Sequence, residues 1–319
     1  MLGLNILTKM INTRMCYLDA LKGILIILVI LGHVIQGAVQ DYQHNDLFRF
    51  IYSFHMPLFF LISGYLTYKG YFDRKLVYKR FLQCIIPFLT WAFILPLLEN
   101  GTFDSSRTVK ILFYPDNGLW FLWNLFFYSL IFNLSEHLSN NNRKQELVIL
   151  AFFALCFVMM ALFNTKFNCT QICWYLPFFT MGYYMRKYPK LVDRKIAIVL
   201  IIGYILTIPF WMMREEPLFY KWLNLGNTFS YVYRLFVQIA GAYSLFYIGK
   251  QILNRQIPFI NYLGTRTLGI YAFQFIVLYH FTIKGNVVYT TVICTMLSLL
   301  CVKIVHGIKY IRLLLIGEK

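Results

Sequence analysis

The sequence predicts an all-α fold, a polytopic bundle of about ten transmembrane helices with both termini in the cytoplasm. Of the 319 residues, 59% are hydrophobic and only 13% are charged, and the mean hydropathy is +0.60. A chain of this composition has too little polar surface to cover its apolar mass in water. The apolar residues also collect in runs of about 20, the length that spans a bilayer, and the cations collect in the short loops between alternate runs.

Ten apolar runs follow one another along the chain. They are residues 21–39, 48–68, 81–98, 119–134, 147–163, 173–185, 196–213, 229–249, 262–281 and 287–305. The sixth run is short, and if it did not cross the membrane, every later loop would change sides. We find no soluble domain, low-complexity linker or internal repeat, so residues 1–319 are predicted to form a single transmembrane domain.

The charges of the loops predict the orientation. Cations follow the second and sixth runs, at Lys69, Arg74, Lys75, Lys79 and Arg80 and at Arg186, Lys187, Lys190, Arg194 and Lys195, whereas acids collect in the alternate loops, at Asp41, Asp46, Glu99, Asp104 and Asp116. Because an excess of Lys and Arg marks the cytoplasmic side, both termini are predicted to be cytoplasmic and the sixth run is predicted to span. The same rule explains the formal net charge of +17. We therefore expect the lipid bilayer, and no nucleic acid, as a partner.

The first run carries a polar stripe. Asp19, Lys22, His33 and Gln36 lie on one face of a helix that is otherwise almost entirely Leu, Ile and Val. The eleven-residue step from Lys22 to His33 is close to three helical turns, with about 16 Å of rise. Ionisable side chains at membrane depth are costly, so they are candidates for function and are expected to face the interior of the bundle.

A second histidine, His55, is predicted to lie at the depth of His33, because the first helix runs outward and the second runs inward. Pro57 cannot donate an amide hydrogen, so it leaves the carbonyl of Ser53 without its helical partner, as is common beside polar sites in membranes. The alternative is that each histidine only forms a hydrogen bond with a neighbouring helix. Two histidines at one depth, with Lys22 on the same stripe, favour a functional site.

The order Lys22, ten residues and His33, followed by FHMPLFFLISGY at 54–65, resembles the integral-membrane acyltransferase-3 family, especially its fucose-4-O-acetylase-like O-acetyltransferases. The similarity continues in LWFLWNLFF at 119–127, WYLPFFTMGYYM at 174–185 and NYLGTRTLGIYAFQF at 261–275. The resemblance implies a multi-pass protein of the bacterial cytoplasmic (inner) membrane. It implies transfer of an acyl group, usually acetyl from acetyl-CoA, to a hydroxyl of a cell-envelope or exported glycan. His33 would be the catalytic histidine and Lys22 its paired basic residue.

Two positions depart from the family pattern. The family usually has arginine where this chain has Lys22, which keeps the charge but not the planar fork that grips phosphate. In the ninth run many relatives have histidine where this chain reads Tyr271-Ala272-Phe273-Gln274. Gln274 can orient a substrate but cannot take a proton, so the resemblance transfers no acid–base role to it.

Transfer from a thioester to a sugar hydroxyl needs a base, and neutral imidazole, with an ordinary pKa of about 6.5, suits that role near neutral pH. Alternatively, His33 attacks the thioester and carries the acyl group as an acyl-imidazole. The sequence leaves both mechanisms open, with His55 as the second catalytic candidate. The spacing of Lys22 and His33 is comparable with an extended pantetheine arm, so the phosphates of acyl-CoA would lie at the cytoplasmic mouth.

Weaker candidates complete the predicted site. For the phosphates of acyl-CoA they are Arg74, Lys75, Lys79 and Arg80, although topology alone also explains these cations. For a glycan or glycolipid acceptor they are Trp120, Asn124, Arg234 and Gln274. Arg234 would hold an acidic group of the acceptor or stabilise an oxyanion, or would instead extend toward the lipid headgroups. No metal-ligand spacing occurs, so no metal is expected.

A transporter or flippase that exports a glycan or its precursor is the competing prediction, since buried His and Arg would suit a proton-coupled carrier. Against it, the two halves of the chain are not repeats. Cys169 and Cys173 fall in a loop predicted to lie outside, where they would be either bridged or unpaired. The sequence leaves open the acceptor, the acyl group, and whether the protein is a monomer or a homo-oligomer.

Overall fold

The structure, a computed structural model, describes residues 15–138, 142–163, 165–213, 227–281 and 286–318. Within these residues every regular element is a helix. In chain order the α-helices are α1 (Cys16–Ala38), α2 (Asp46–Tyr52), α3 (His55–Thr67), α4 (Arg74–Arg80), α5 (Ile86–Asn100), α6 (Ser105–Phe113), α7 (Trp120–Ser135), α8 (Asn142–Phe163), α9 (Cys169–Lys187), α10 (Arg194–Thr207), α11 (Asn227–Ile252), α12 (Pro258–Thr265), α13 (Thr267–Phe281), α14 (Val287–His306) and α15 (Lys309–Ile316). Each predicted apolar run falls on one helix or on an interrupted pair, except that the seventh run, 196–213, continues past the end of α10 at Thr207.

The predicted all-α class is confirmed, and several helices are apolar enough to cross a membrane. By length and composition these are Cys16–Ala38, Asp46–Thr67, Arg74–Glu99, Arg143–Phe163 and Val287–His306. The sixth apolar run, 173–185, lies within a longer helix, because α9 has 19 residues. That length is about 28 Å, close to the roughly 30 Å of a bilayer's hydrocarbon core.

Helices α1 and α3 lie at the centre of the bundle. Helix α3 packs along α9, and α1 packs along α12 and α14. The span that contains α3 is 78% buried inside the protein, whereas that of α8 is only 11% buried. Helix α3 is apolar on all its faces and is therefore enclosed by other helices, while α8 lies at the periphery.

Two glycines bring α3 and α9 into close contact. A Cβ atom on Gly64 would lie 2.0 Å from the carbonyl oxygen of Phe179, and one on Gly182 would lie 1.8 Å from that of Leu61. Both distances are far inside van der Waals contact with backbone, which cannot move as a side chain can. Small residues at a helix contact let the backbones approach closely, as is common between membrane helices. This contact holds the centre of the bundle together.

We therefore expect Gly182→Ala to destabilise the protein by about 1–3 kcal/mol, because the added methyl group overpacks the contact. Gly203→Ala is the matched control, since its Cβ would meet only the tip of the Phe236 ring, at 3.2 Å. Thermal unfolding of the purified protein in detergent measures both. Equal midpoints for Gly182→Ala and wild type would show that α3 and α9 are not in close contact.

The second predicted span is interrupted at Ser53 and Phe54, between α2 and α3. Arg49 of α2 is buried, and its Nε donates to the carbonyl oxygen of Trp211 at 2.9 Å. The Oγ of Ser53 lies 2.7 Å from the hydroxyl of Tyr204 on α10. These polar contacts hold the interruption against α10 and the turn that follows it.

The cysteines are free thiols throughout the structure. Cys169 and Cys173 lie one turn apart on α9, and no bridge joins them. The unpaired alternative is therefore the one that the structure has. Side chains one turn apart on a helix are not always aimed for the geometry of a disulfide, even when their Cα atoms are close enough.

Protein purified without reductant is accordingly expected to have all seven cysteines alkylated under denaturing conditions, as measured by intact mass. A reductant control should give the same mass. Two cysteines that react only after reduction would contradict the unbridged state of Cys169 and Cys173.

Candidate active site

Helix α1 borders two cavities. Lys22 lines a cavity of about 380 Å³, which we call the lysine cavity. His33 lines a second cavity of about 450 Å³, which we call the histidine cavity. The predicted polar stripe is present, since Lys22 Nζ lies 2.8 Å from Asp19 Oδ1 and His33 Nδ1 lies 3.0 Å from Gln36 Oε1. One helix therefore carries a cation to one cavity and an imidazole to the other.

The imidazole of His33 is held in one orientation. Its Nδ1 donates to Gln36 Oε1 at 3.0 Å, and its ring packs against Phe275 with 5.5 Å between the ring centroids. In a neutral imidazole that donates through Nδ1, Nε2 carries a lone pair and no proton. His33 is half-buried and lines the cavity, so it can accept a proton from a group bound there.

His55, the second predicted catalytic histidine, is the first residue of α3. It is buried, its Nδ1 donates to the carbonyl oxygen of Ile51 at 2.8 Å, and its ring packs edge-on against Tyr52 at 4.6 Å. The interruption before α3 lies between this carbonyl and the histidine. His55 is not among the residues that line the histidine cavity, so this position suits a support of the site better than a contact with substrate.

Four cations converge on the lysine cavity. They are Lys22, Lys69, Lys79 and Arg80. The carboxylate of Glu318 also lines it, but that group is paired with Arg266 at 3.1 Å. The Nε of Arg80 is buried and has no hydrogen-bond partner among the described residues. Lys22 is also paired, with Asp19 at 2.8 Å, so the charges of Lys69, Lys79 and Arg80 remain in excess of the carboxylates that line the cavity. The cavity is therefore suited to an anion with several charges.

The structure separates the predicted phosphate-binding cations into two groups. Lys79 and Arg80 line the lysine cavity, whereas Arg74 lines a surface groove beside Phe126, and neither Arg74 nor Lys75 lines the cavity. The six-residue step from Arg74 to Arg80 turns the helix by about 600°, which places these two side chains about 120° apart around the helix axis. Lys69 was not predicted as a phosphate-binding residue. It lies in the same basic loop as Lys79 and Arg80, and that position could have indicated it.

A layer of aromatic rings separates the two cavities. On α7, Phe121 lines the lysine cavity and its neighbour Trp120 lines the histidine cavity. On α13, Tyr271 lines the lysine cavity and Phe275, one turn later, lines the histidine cavity. The Phe121 and Tyr271 rings are 5.8 Å apart, and the Tyr271 and Phe275 rings are 5.7 Å apart. The two cavities therefore lie back to back.

Of the predicted acceptor residues, only Trp120 lines the histidine cavity. Asn124 is fully buried one turn away, and its Oδ1 accepts from Asn168 Nδ2 at 2.8 Å. Arg234 donates to the carbonyl oxygen of Met213 at 3.2 Å, so its guanidinium contacts the segment that follows α10. Gln274 is fully buried beside Phe275, and its side-chain polar atoms have no hydrogen-bond partner among the described residues.

Polar residues that the sequence did not single out complete the histidine cavity. Glu99, Arg107, Asp116 and Asn117 line it. Both carboxylate oxygens of Glu99 accept from Arg107, at 2.9 and 3.1 Å, and this pairing raises the pKa of the guanidinium. In the sequence analysis Glu99 and Asp116 were explained by membrane topology, because no local pattern connects Glu99 with α6. The described residues hold no group of three metal-ligating side chains.

Comparisons with known proteins identify the family. A family model described as an acyltransferase domain, of the acyltransferase-3 type, matches residues 16–306. Nodulation protein NolL of Sinorhizobium fredii is 37% identical over 125 residues, which are 35% of this chain and 34% of that protein. Nodulation protein NolL of Mesorhizobium japonicum is 33% identical over 188 residues, which are 54% of this chain and 48% of that protein. No solved structure matches the chain.

These curated relatives are thus matched over less than half of their own length, whereas the family model extends over nearly all of this chain. It includes both Lys22 and His33, as well as the aromatic layer between their cavities. The resemblance predicted from the first two helices is confirmed: the chain belongs to the integral-membrane acyltransferase-3 family.

Proposed function

We propose that the protein is an O-acyltransferase that moves an acyl group, acetyl in the first instance, from acyl-CoA in the lysine cavity to a hydroxyl of a glycan or glycolipid in the histidine cavity. The observation that carries the proposal is the position of α1, which brings Lys22 and His33 to two cavities that lie back to back. Family membership supports the reaction type. The transporter alternative gains no specific support from the cavities.

The lysine cavity fits the phosphates of acyl-CoA. Its four cations have one carboxylate among the lining residues, and Arg80 retains an unpartnered buried Nε. Phosphate oxygens accept charge-assisted hydrogen bonds from such groups. The rise of about 16 Å along α1 from Lys22 to His33 would be bridged by the pantetheine arm. The thioester would then pass the layer formed by Phe121 and Tyr271 and reach His33.

The proposed chemistry uses the lone pair on His33 Nε2. It takes the proton of the acceptor hydroxyl, the oxygen attacks the thioester carbonyl carbon, and the C–S bond breaks. CoA leaves as a thiolate and receives the proton from the imidazolium. The same geometry allows His33 to carry the acyl group itself before the sugar hydroxyl attacks. Gln36 fixes the tautomer in either mechanism.

We also propose about ten spans, cytoplasmic termini and a bacterial cytoplasmic membrane. Lys69, Lys79 and Arg80 of the lysine cavity come from a loop predicted to be cytoplasmic, whereas Glu99 and Asp116 of the histidine cavity come from loops predicted to be outside. The donor and the acceptor would therefore reach the site from opposite faces of the membrane.

Labelling of intact cells with a membrane-impermeant lysine reagent tests this topology. Lys166, before α9, should be modified, and Lys190, after α9, should be protected until the cells are opened. Both residues are exposed in the structure, so their difference reports sidedness. Modification of Lys190 in intact cells would show that α9 does not cross the membrane.

Mass spectrometry of envelope and exported glycans from a deletion strain tests the reaction. We expect acetyl increments to disappear from one glycan and to return with the wild-type gene but not with His33→Ala. Unchanged acylation of every glycan in the deletion strain would contradict the proposed activity.

A further inference from the structure

We propose that the histidine cavity selects an uncharged, hydroxyl-rich sugar and disfavours acceptors that carry a carboxylate or phosphate near the reacting hydroxyl. This inference rests on the proposed function and assigns the acceptor specificity to Asp116, Asn117 and the Glu99–Arg107 pair. It replaces the expectation that Arg234 would bind an acidic acceptor, because Arg234 is not among the residues that line the histidine cavity.

The charged residues that line the histidine cavity favour an uncharged acceptor. Among its described lining residues, the carboxylates of Glu99 and Asp116 oppose one guanidinium, that of Arg107. Arg107 donates to both carboxylate oxygens of Glu99, so the positive charge of Arg107 is neutralised by Glu99. An acidic acceptor would therefore find no unpaired cation at this guanidinium. Asp116 is exposed, and its carboxylate accepts a hydrogen bond from Asn117 Nδ2 at 3.2 Å. An anion in this cavity would therefore be repelled.

The size of the cavity and the groups that line it are suited to a sugar. The cavity of about 450 Å³ lies within the range of small-molecule sites. The ring of Trp120 lines one part and is itself stacked on Tyr175 at 5.2 Å, which fixes its plane. The amide of Asn117 is held by the protein, because its Nδ2 donates to Tyr114 O and to Asp116 Oδ1, each at 3.2 Å, and its Oδ1 accepts from Arg107 at 3.4 Å. The carboxylate of Asp116 keeps lone pairs that can accept hydrogen bonds from neighbouring hydroxyls. An aromatic face combined with such a carboxylate suits a sugar ring.

Helix α13 connects the wall that carries Glu99 with the imidazole of His33. The hydroxyl of Tyr279 donates to the carbonyl oxygen of Glu99 at 3.3 Å, which connects α13 to the end of α5. Phe275 on the same helix contacts His33. The carboxylate-bearing wall and the imidazole therefore belong to one connected unit. The two cavities are biased toward opposite charges, so the anionic donor and a neutral acceptor would each enter the correct one.

Binding of two matched sugars tests the inference. The full-length protein in nanodiscs is titrated with p-nitrophenyl β-glucoside and with p-nitrophenyl β-glucuronide, which differ in a hydroxymethyl and a carboxylate group, and binding is followed by saturation-transfer NMR. We expect the glucoside to bind about fivefold more tightly, the effect of one solvent-exposed like charge at close range. Excess CoA should not displace it, because CoA would occupy the lysine cavity.

Two variants separate specificity from structural damage. Glu99→Gln leaves the charge of Arg107 unbalanced and should shift the preference toward the glucuronide by about tenfold. Asp116→Asn should shift it in the same direction. Asp41→Asn is the control, because that exposed carboxylate pairs with His44 outside the cavity; its preference should equal that of wild type. A gain in glucuronide binding cannot result from misfolding.

Equal binding of the two sugars, an unchanged preference in Glu99→Gln, or saturable binding of neither sugar overturns the inference. Acetyl-CoA hydrolysis without sugar, measured in the same nanodiscs, distinguishes this failure from failure of the proposed function. If hydrolysis depends on His33 while the sugar preference fails, only the acceptor specificity is wrong. If no hydrolysis depends on His33, the proposed function fails with it.

Discussion

Replacing His33 with alanine is expected to lower the rate of acyl transfer by roughly 100- to 10,000-fold, the range that one acid–base group supplies. The side chain lines the histidine cavity, and its Nδ1 hydrogen bond to Gln36 leaves Nε2 able to accept a proton. The rate is measured as acetyl-CoA-dependent labelling of glycan in membranes that contain equal amounts of each variant. His44→Ala is the control, because His44 is not among the residues lining the cavity and pairs with Asp41.

Full activity of His33→Ala at equal abundance would remove His33 from the mechanism. Rapid quenching of wild-type protein with labelled acetyl-CoA, without acceptor, separates the two mechanisms. Label bound to the protein and absent from His33→Ala indicates an acyl-imidazole, and label that never binds the protein indicates direct transfer with His33 as base.

Removing a cation from the lysine cavity should weaken donor binding rather than chemistry. We expect Arg80→Ala and Lys22→Ala each to raise the KM for acetyl-CoA about tenfold with a smaller effect on kcat, because a charge-assisted hydrogen bond to phosphate is lost. Lys22→Arg keeps the charge and should keep most of the affinity. Steady-state kinetics over a range of acetyl-CoA concentrations measure all three variants.

Arg74→Ala is the matched control for Arg80→Ala. Both arginines lie on α4, but Arg74 lines a surface groove and Arg80 lines the lysine cavity. The KM for acetyl-CoA should therefore stay at the wild-type value in Arg74→Ala. An equal rise in both variants would place the phosphates on the outer face of α4 and would contradict the assignment of the lysine cavity.

The features predicted correctly from the sequence are those that local periodicity determines. The apolar runs predict helices because each run must bury its backbone hydrogen bonds within the membrane. The polar stripe on α1 needs only the helical repeat, so the Lys22–Asp19 and His33–Gln36 pairs follow directly. Pro57 predicts that the carbonyl of Ser53 lacks its helical partner, but the interruption of the second span at Ser53 and Phe54 was not predicted.

The composition of the cavity walls could not be predicted in this way, since it depends on contacts between distant segments. Arg74 and Arg80 have the same charge and the same loop, and only the rotation of α4 decides which of them faces the cavity. Glu99 becomes part of the site through Arg107 on α6, a short amphipathic helix that hydropathy does not reveal. Asn124 and Arg234 looked available in the sequence, but tertiary contacts use them.

The proposed mechanism requires that the donor and the acceptor reach His33 from opposite sides of the membrane, and a single measurement tests this directly. The measurement uses sealed vesicles of known orientation, with labelled acetyl-CoA supplied on one side and a glycan acceptor on the other. With the donor on the cytoplasmic side and the acceptor on the outer side, we predict labelled glycan for wild type and none for His33→Ala. Transfer that requires both substrates on the same side would contradict the arrangement of the two cavities as donor and acceptor sites.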